Sequence, residues 1–489
     1  TYAQMDGSGK AIRPSALLND IYKIFPDLRP EVPELWEESR ILTGMQESSY
    51  YLLEGLKKPE LRNDFWQTLF AWFSEHDGTK EKLSGWISQM FDIRRMSPLS
   101  QKIIKALYGE RPRASITTLE KYAACAYAHF LSAGLRLEER KTSKLLPPDL
   151  GNILHQSMER FSKAVEESAY DWHTMPDTFR DETMERCVRE TGMAYGSAMF
   201  LENARYRHYL EQLVRMAKRT AWTIQKQICK GEFVPAGFET KFSVGERVQL
   251  IGTVDRYDIY DGEEARAVRI VDYKSGQKEF DLTEIFYGLS LQLVVYMESI
   301  ARIETARHPE KPVVKAGMFY YHIQDPILEE MPENPEELDS QIASMLKLEG
   351  LVNDDPQVVA WMDEKLSEAP QVLPVSLKKD GTFSKTSSIA SGDQLDALGY
   401  LVHRRIEQLA EGWMSGDISK NPYVLVNGSK KRTACDYCSY RGICRFDEQV
   451  EGCEYHRLMH LSADEVWQRI YEEVREAWES RGPKNSGRS

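Results

Sequence analysis

The sequence predicts an α/β fold with a mostly helical N-terminal region, and three observations carry that prediction. Residues 1 to about 110 are Trp-rich with apolar residues at near-helical spacing, as in the run from Phe65 through Trp66, Leu69, Phe70 and Trp72 to Phe73. From Phe238 the period changes: residues 248–260 and 265–274 read as two strands joined by Asp261-Gly262, a strong hairpin signal. Residues 283–302 then read as a long apolar helix, and residues 318–323 as a further buried strand.

A chain of 489 residues is expected to hold two or three domains. Pro98 and Arg111-Pro112-Arg113 mark a boundary, giving a helical region over 1–110, a chemistry-bearing domain over 111–460, and a C-terminal helix and tail over 461–489. The composition from Arg481 onward predicts disorder. The chain begins abruptly at Thr1 without Met, with no basic region followed by an apolar core, so it reads as a piece cut from a longer protein and not as a secretion signal. No run of 18 apolar residues is present, which predicts no membrane span. Gly7-Ser8-Gly9-Lys10 looks like part of a phosphate loop, but Gln4 and Ala11 stand where Gly and Ser or Thr are required, so no ATP hydrolysis is expected.

Lys and Arg number 63 against 76 Asp and Glu, a net charge of −13. That balance argues against a protein that holds nucleic acid by charge alone, yet it leaves room for a nuclease, whose site needs carboxylates. Local basic patches occur at residues 274–278, His403-Arg404-Arg405 and Lys430-Lys431-Arg432; each alone is more often a solvated face. Seven cysteines without a signal read as reduced and cytoplasmic.

Along the middle of the chain, Ser115 or Thr117 is a plausible N-cap with Glu120 as its capping-box partner, opening a helix that carries Cys125. Pro147-Pro148-Asp149 opens another, which places Gly151, His155 and Glu159 on one face. Residues 175–230 are helical without readable chemistry, and 326–370 are acidic and polar, expected as surface helices and loops. After Leu401 a helix leads to Asn421-Pro422-Tyr423 and a cysteine cluster.

The chemistry centres on Ile270-Val271-Asp272-Tyr273-Lys274. Alternate strand residues share a face, so Asp272 and Lys274 point one way and Val271 and Tyr273 the other. An acid and a lysine on an otherwise apolar strand are costly unless they are paired or bind a metal. With the turn centred on Gly262 and Glu263, Asp255 faces Ile270 and is the diagonal neighbour of Asp272, about 7–8 Å away. A slip by one residue would break that arrangement. Two carboxylates at that range suit Mg²⁺ or Mn²⁺, with Lys274 orienting water or neutralising charge on a phosphate. A lone Asp-x-Lys is more often a surface ion pair; its company changes the reading.

Glu239 in Gly237-Phe238-Glu239, Gly252-x-x-Asp255-Arg256, Asp272-Tyr273-Lys274 and Gln292-Leu293-x-x-Tyr296 occur in order. The pattern resembles the RecB-type branch of the PD-(D/E)XK nuclease superfamily. The resemblance implies a mixed central sheet flanked by helices, His155 as a further metal ligand beside Asp255 and Asp272, and Gln292 and Tyr296 touching DNA or ordering the site.

Cys435-x2-Cys438-x5-Cys444 offers three thiolates. Sites one ligand short of four hold Zn²⁺ or an iron–sulfur cluster, and spacing does not decide. Tyr122-x-x-Cys125-x-Tyr127 together with the run from Cys435 to Asp447 resembles the B subunit of AddAB-type helicase–nucleases, which implies a [4Fe–4S] cluster with Cys125 as the fourth ligand; Cys453 is the competing choice. The resemblance extends to residues 373–385, where Lys378, Lys379 and Lys385 are read as phosphate contacts, as is Arg256. It implies an exonuclease acting on single-stranded DNA ends in double-strand-break processing, on the 5′-terminated strand, with an A subunit as motor. A Cas4-like free-standing exonuclease and a degenerate DNA-binding scaffold are the alternatives.

Overall fold

The structure, a computed structural model, describes residues 15–29, 44–91, 97–138, 147–196, 200, 203–245, 247–276, 278–326, 328, 334–364, 372–379, 381–450 and 453–481. The expectations for Gly7-Ser8-Gly9-Lys10 and for the tail beyond Arg481 lie outside these residues. The chain divides into two compact units, Thr1–Arg94 and Arg95–Ser489. No helix among the described residues is long and apolar enough to cross a membrane.

The first unit is helical: α1 (Leu17–Ile24), α2 (Met45–Lys57), α3 (Asp64–Glu75) and α4 (Lys80–Phe91). The Trp-rich run forms α3, which Asn63 caps by accepting from Trp66 N at 2.9 Å. Leu69 and Phe73 fall one turn apart and pack with Leu52 and Leu83 into a small core.

The second unit opens with α5 (Gln101–Tyr108), β1 (Arg113–Ala114), α6 (Ile116–Ala124) and α7 (Ala126–His129). Three long helices follow, α8 (Pro147–Glu166), α9 (Asp177–Gly196) and α10 (Ala204–Ile228). Then come β2 (Val234–Val244), β3 (Gln249–Asp261), β4 (Arg266–Lys274), α11 (Leu282–Phe286), α12 (Gln292–Arg307), β5 (Val313–His322), α13 (Pro335–Met345), β6 (Glu349–Asn353), α14 (Pro356–Met362), β7 (Ile389–Ala390) and α15 (Gly392–Met414). The chain closes with β8 (Tyr423–Asn427), β9 (Lys430–Thr433), α16 (Arg441–Cys444), β10 (His456–Met459) and α17 (Ala463–Arg481).

Seven strands form one mixed sheet in the order β1-β3-β4-β5-β6-β7, with β2 also paired to β3; β10-β8-β9 form a smaller one. The parallel β4–β5 pair is joined by α11 and α12, as a parallel connection requires. Both faces are covered. Val268, Ile270, Met318 and Tyr320 pack with residues of α12, α15 and α17, while Ala267, Val271, Tyr273, Phe319 and Tyr321 pack with α8, α9 and α10. This is why the seven inner residues of β4 are all buried, and why β5 is uncharged between Lys315 and His322.

Several sequence expectations need correction. The single helix over 283–302 is two, because Gly288 adopts φ +81 between α11 and α12. The stretch 326–370 is not all surface: β6 enters the sheet antiparallel to β5, with Gly350, Leu351, Val352 and Asn353 buried. Asp261 pairs with Arg266, leaving a four-residue hairpin loop in which Gly262 N donates to Ala265 O. The turn centre therefore moves one residue from the expected place, and Asp255 falls directly opposite Asp272, closer than the diagonal expected. The shift changes register by two, so parity survives and both carboxylates keep one face. Ser115 does cap α6, accepting from Thr118 N at 3.2 Å, but Glu120 is not its capping-box partner. Of the basic patches, Arg404 and Arg405 pair with Glu473, and Arg432 pairs with Glu284.

Candidate active site

The end of β4 carries the site. Asp272 is buried, and its Oδ2 lies 2.5 Å from Lys274 Nζ, but no donor meets that oxygen at a hydrogen-bonding angle. Lys274 Nζ donates instead to Gln292 Oε1 at 3.0 Å, and Gln292 Nε2 donates to Tyr296 OH at 2.6 Å. One turn of α12 thus holds the amide between lysine and phenol. Across the hairpin, Asp255 Oδ2 accepts from Tyr273 N at 2.8 Å. From α8, His155 Nδ1 reaches within 3.4 Å of the same oxygen. The cleft is lined by His155, Asp255, Asp272, Lys274, Lys278 and Gln292 among others.

Glu239 joins this group from β2, flanked by the pairs Phe238–Arg256 and Thr240–Val254, which sets it against Asp255. It adopts φ +47, a left-handed conformation that a side chain other than glycine enters at a cost of about 1–3 kcal/mol. His155, Glu239 and Asp255 each offer a ligand atom, all within 4.8 Å of one another.

The electrostatics are one-sided. Burial, then Asp272 and Glu239, hold the Asp255 carboxyl well above the usual range. Burial, with Glu159 and Asp272, pushes Glu239 up to about 7. Burial holds His155 below its ordinary value, leaving a neutral imidazole able to ligate. Three buried or half-buried carboxylates stand together, with Lys274 and Lys278 at the cleft and Lys163 near Glu239, and an outside cation with oxygen and imidazole ligands would complete them.

Arg256 is not part of this surface. It is 0 % exposed and points to the other face of the sheet, where Nε and Nη2 donate to the two oxygens of Asp258 at 2.8 and 2.9 Å. The expectation that it contacts DNA is withdrawn. Lys378 and Lys379 are exposed on a small loop closed by the Leu377–Phe383 bridge, and Lys385 is exposed two residues beyond it. Two residues the sequence reading gave no part here are Glu159, whose charge is felt at Glu239 from the His155 face of α8, and Glu120, whose carboxylate accepts from Leu291 N at 2.6 Å. The four-residue spacing from His155 to Glu159 was visible; nothing in sequence signals a contact across 171 residues.

The second constellation is a cavity lined by Cys125, Cys435, Cys438 and Cys444, walled by Tyr127, Tyr440, Phe446 and Tyr455. Cys453 is buried and does not line it. All seven cysteines are free of disulfides. Burial, above all, pushes the Cys125 thiol up to about 11, and Cys435 and Cys444 are raised as well. Four thiols around one cavity form a soft donor set suited to iron–sulfur or zinc.

The family model of the PD-(D/E)XK nuclease superfamily matches residues 113–445, from β1 to just past Cys444. The chain is 35% identical over 488 residues to the B subunit of the ATP-dependent helicase/deoxyribonuclease of Lachnoclostridium phytofermentans, covering 96% of this chain and 42% of that protein. It is 31% identical to the protein of the same description from Clostridium novyi (98% and 44%) and 30% identical to that from Alkaliphilus metalliredigens (97% and 42%). The chain therefore spans about two fifths of the length of the curated relatives it matches.

Proposed function

Because this chain belongs to the PD-(D/E)XK nuclease superfamily, we propose that it is the metal-dependent DNA exonuclease module of the B subunit of a helicase–nuclease, hydrolysing phosphodiester bonds at DNA ends. The observation that carries the reading is the meeting of Asp255, Asp272 and Lys274 with His155 at the mouth of one cleft. The substrate is single-stranded ends, the 5′-terminated strand in particular, during double-strand-break processing in the cytoplasm. The partner is a motor A subunit, in keeping with relatives described as B subunits of an ATP-dependent helicase/deoxyribonuclease.

His155, Asp255 and Asp272, with Glu239 beside them, would hold Mg²⁺ or Mn²⁺. The ion would acidify a water and steady the charge on the scissile phosphate. Lys274 places its ammonium between Asp272 and the cleft, where it orients the attacking water and offsets charge developing on phosphate oxygens. Gln292 keeps that ammonium from swinging away, and Tyr296 fixes the amide so that its oxygen faces the lysine. Single-stranded DNA with Mg²⁺ gives degradation that Asp272→Ala abolishes; equal cleavage by both proteins ends the catalytic assignment.

The cysteine cavity is assigned to a [4Fe–4S] cluster on Cys125, Cys435, Cys438 and Cys444, acting as a structural clasp. Four thiols around one cavity could serve zinc or a cluster, and the likeness of Cys125 and the run from Cys435 to Cys444 to the family's cysteine pattern favours the cluster. Joining positions 125 and 435 closes a very long loop and removes about 5 kcal/mol or more of unfolded-state entropy. A brown preparation containing iron and sulfide is expected; a colourless one containing zinc overturns the cluster.

A further inference from the structure

We propose that Glu120 is a positioning residue for the cleavage chemistry: from the helix that ends at Cys125 it caps α12, and so fixes Gln292 and Lys274 against Asp272. The inference rests on the nuclease reading above and names a residue that reading does not use.

The first amides of a helix have no partners within it. α12 has no cap of its own, since Leu291 offers no acceptor and itself has helical torsions, φ −96 and ψ −17. Glu120 supplies one from 171 residues upstream: a single oxygen, Oε1, accepts from Leu291 N at 2.6 Å and Gln292 N at 3.2 Å. The carboxylate meets the positive end of the helix, a favourable arrangement. It is not there for its own helix, because α6 is capped by Ser115. A carboxylate only 9% exposed carries a desolvation cost, which a Ser or Asp at position 291 would have avoided if capping alone were needed.

What the remote cap adds is a link. Gln292 is held by its backbone through Glu120 and by its side chain between Lys274 and Tyr296. Lys274 in turn stands 2.5 Å from Asp272. On its other side α6 reaches the clasp: Cys125 is its C-cap residue, and Lys121 Nζ lies 5.3 Å over the ring of Tyr440, between Cys438 and Cys444. The same short helix therefore touches the thiolate cavity at one end and orders the catalytic lysine from its middle. Displacement of a positioned group by about 1 Å can cost 10²-fold in rate.

The test uses the full chain with single-stranded DNA and Mg²⁺. Glu120→Gln keeps the one accepting oxygen, so it should stay within about threefold of wild type. Glu120→Ala should lower kcat about 10- to 100-fold with KM changed less than about twofold. In a Gln292→Ala background the same substitution should cost no more than about threefold, because it acts through that residue. Amide exchange at Leu291 and Gln292 should quicken at least about tenfold in Glu120→Ala and not in Glu120→Gln. Wild-type kcat in Glu120→Ala, multiplicative losses in the double variant, or a loss fully explained by a smaller folded fraction would each overturn the inference. If Glu120→Ala does not fold, Glu120→Asp, which draws the carboxylate back by one methylene, carries the same expectation of lower kcat at unchanged KM, and wild-type kcat there overturns it. An inert wild type, or one no different from Asp272→Ala, sinks the nuclease reading instead; an active wild type with a dead Asp272→Ala and an unaffected Glu120→Ala sinks this inference alone.

Discussion

Strands β3 and β4 carry charge on both faces, and the two sets are built differently. On one face Arg256 grips Asp258 with two hydrogen bonds, Arg269 Nε donates to the same carboxylate at 2.7 Å, and the Arg269 guanidinium lies 4.9 Å from the Phe233 ring centroid. All three charged side chains are sealed from solvent. On the other face Asp255 and Asp272 open onto a cleft with Lys274 and Lys278, and Glu239 lies beside Asp255 and His155. The first set is sealed from solvent and held by one shared carboxylate, with Nη1 and Nη2 of Arg269 left without an acceptor among the described residues, so its charges serve the fold. The second is acidic and opens to solvent, so a cation from outside can complete it. Burial alone does not separate a functional charge from a structural one; access to a solvent-filled cleft does, since even on the sealed face Nη1 and Nη2 of Arg269 find no acceptor among the described residues.

Substitutions on the two faces should therefore fail in opposite ways. The largest effect expected is on the open face: Asp272→Ala should lower cleavage at least on the order of 10³-fold, while its thermal midpoint stays at or above that of wild type because like-charge repulsion is relieved. A parallel fall in stability would show that the acidic face is also architectural. On the closed face Asp258→Asn should cost about 3–5 kcal/mol in denaturant unfolding, since two buried guanidinium groups lose their counter-charge, and the protein that remains folded should cleave normally. Burial raises the Asp258 pKa, but Arg256 and Arg269 together outweigh it and hold the carboxyl below the usual aspartate range. The stability it contributes is thus complete above about pH 4 and is lost as pH falls through the lower folded value. Wild-type unfolding between about pH 4 and 2 should steepen relative to Asp258→Asn, and identical acid profiles would remove Asp258 from the set of stabilising groups.

The same contrast shows what a sequence reader can and cannot see. Strand alternation placed Asp272 and Lys274 on one side, and that rule survived a misplaced turn because the register moved by an even number. Applied to Arg256, the same alternation points the guanidinium away from Asp255; the expectation of a DNA contact came from motif adjacency, and parity would have corrected it. The fold class was legible because the Asp261-Gly262 hairpin signal and the uncharged run of β5 stand out from the helical spacing around them. β6 was hidden because five strand residues sit inside an acidic stretch, and the break at Gly288 because one glycine in an apolar run is a weak signal. Glu120 and the positive φ of Glu239 have no local signature, and the partners of Glu120 lie 171 and 172 residues along the chain.

A cation should complete the open face and leave the closed one untouched. Mg²⁺ or Mn²⁺ at about ten times its Kd should stabilise the chain by about 1.4 kcal/mol by mass action. In Asp255→Asn the thermal shift should vanish, whereas in Asp258→Asn it should persist on a lower baseline. A shift that survives Asp255→Asn would place the cation elsewhere.

The smallest effects belong to a third kind of charge, neither closed nor completed. Lys378 and Lys379, on the loop joined by the Leu377–Phe383 bridge, and Lys385 just beyond it are exposed, and nothing about their burial demands a ligand. If they touch phosphates they do so as point charges that release counterions, so each Lys→Ala change should reduce the slope of log affinity for single-stranded DNA against log salt by about 0.7. The same changes should leave kcat and the melting profile as they are, because an exposed lysine that meets substrate only along its backbone supports neither the metal face nor the core. Unchanged salt slopes in all three variants would make the loop a solvated surface, and the acidic cleft would then have to draw its DNA from basic residues nearer to it, Lys278 at its rim being the first to test.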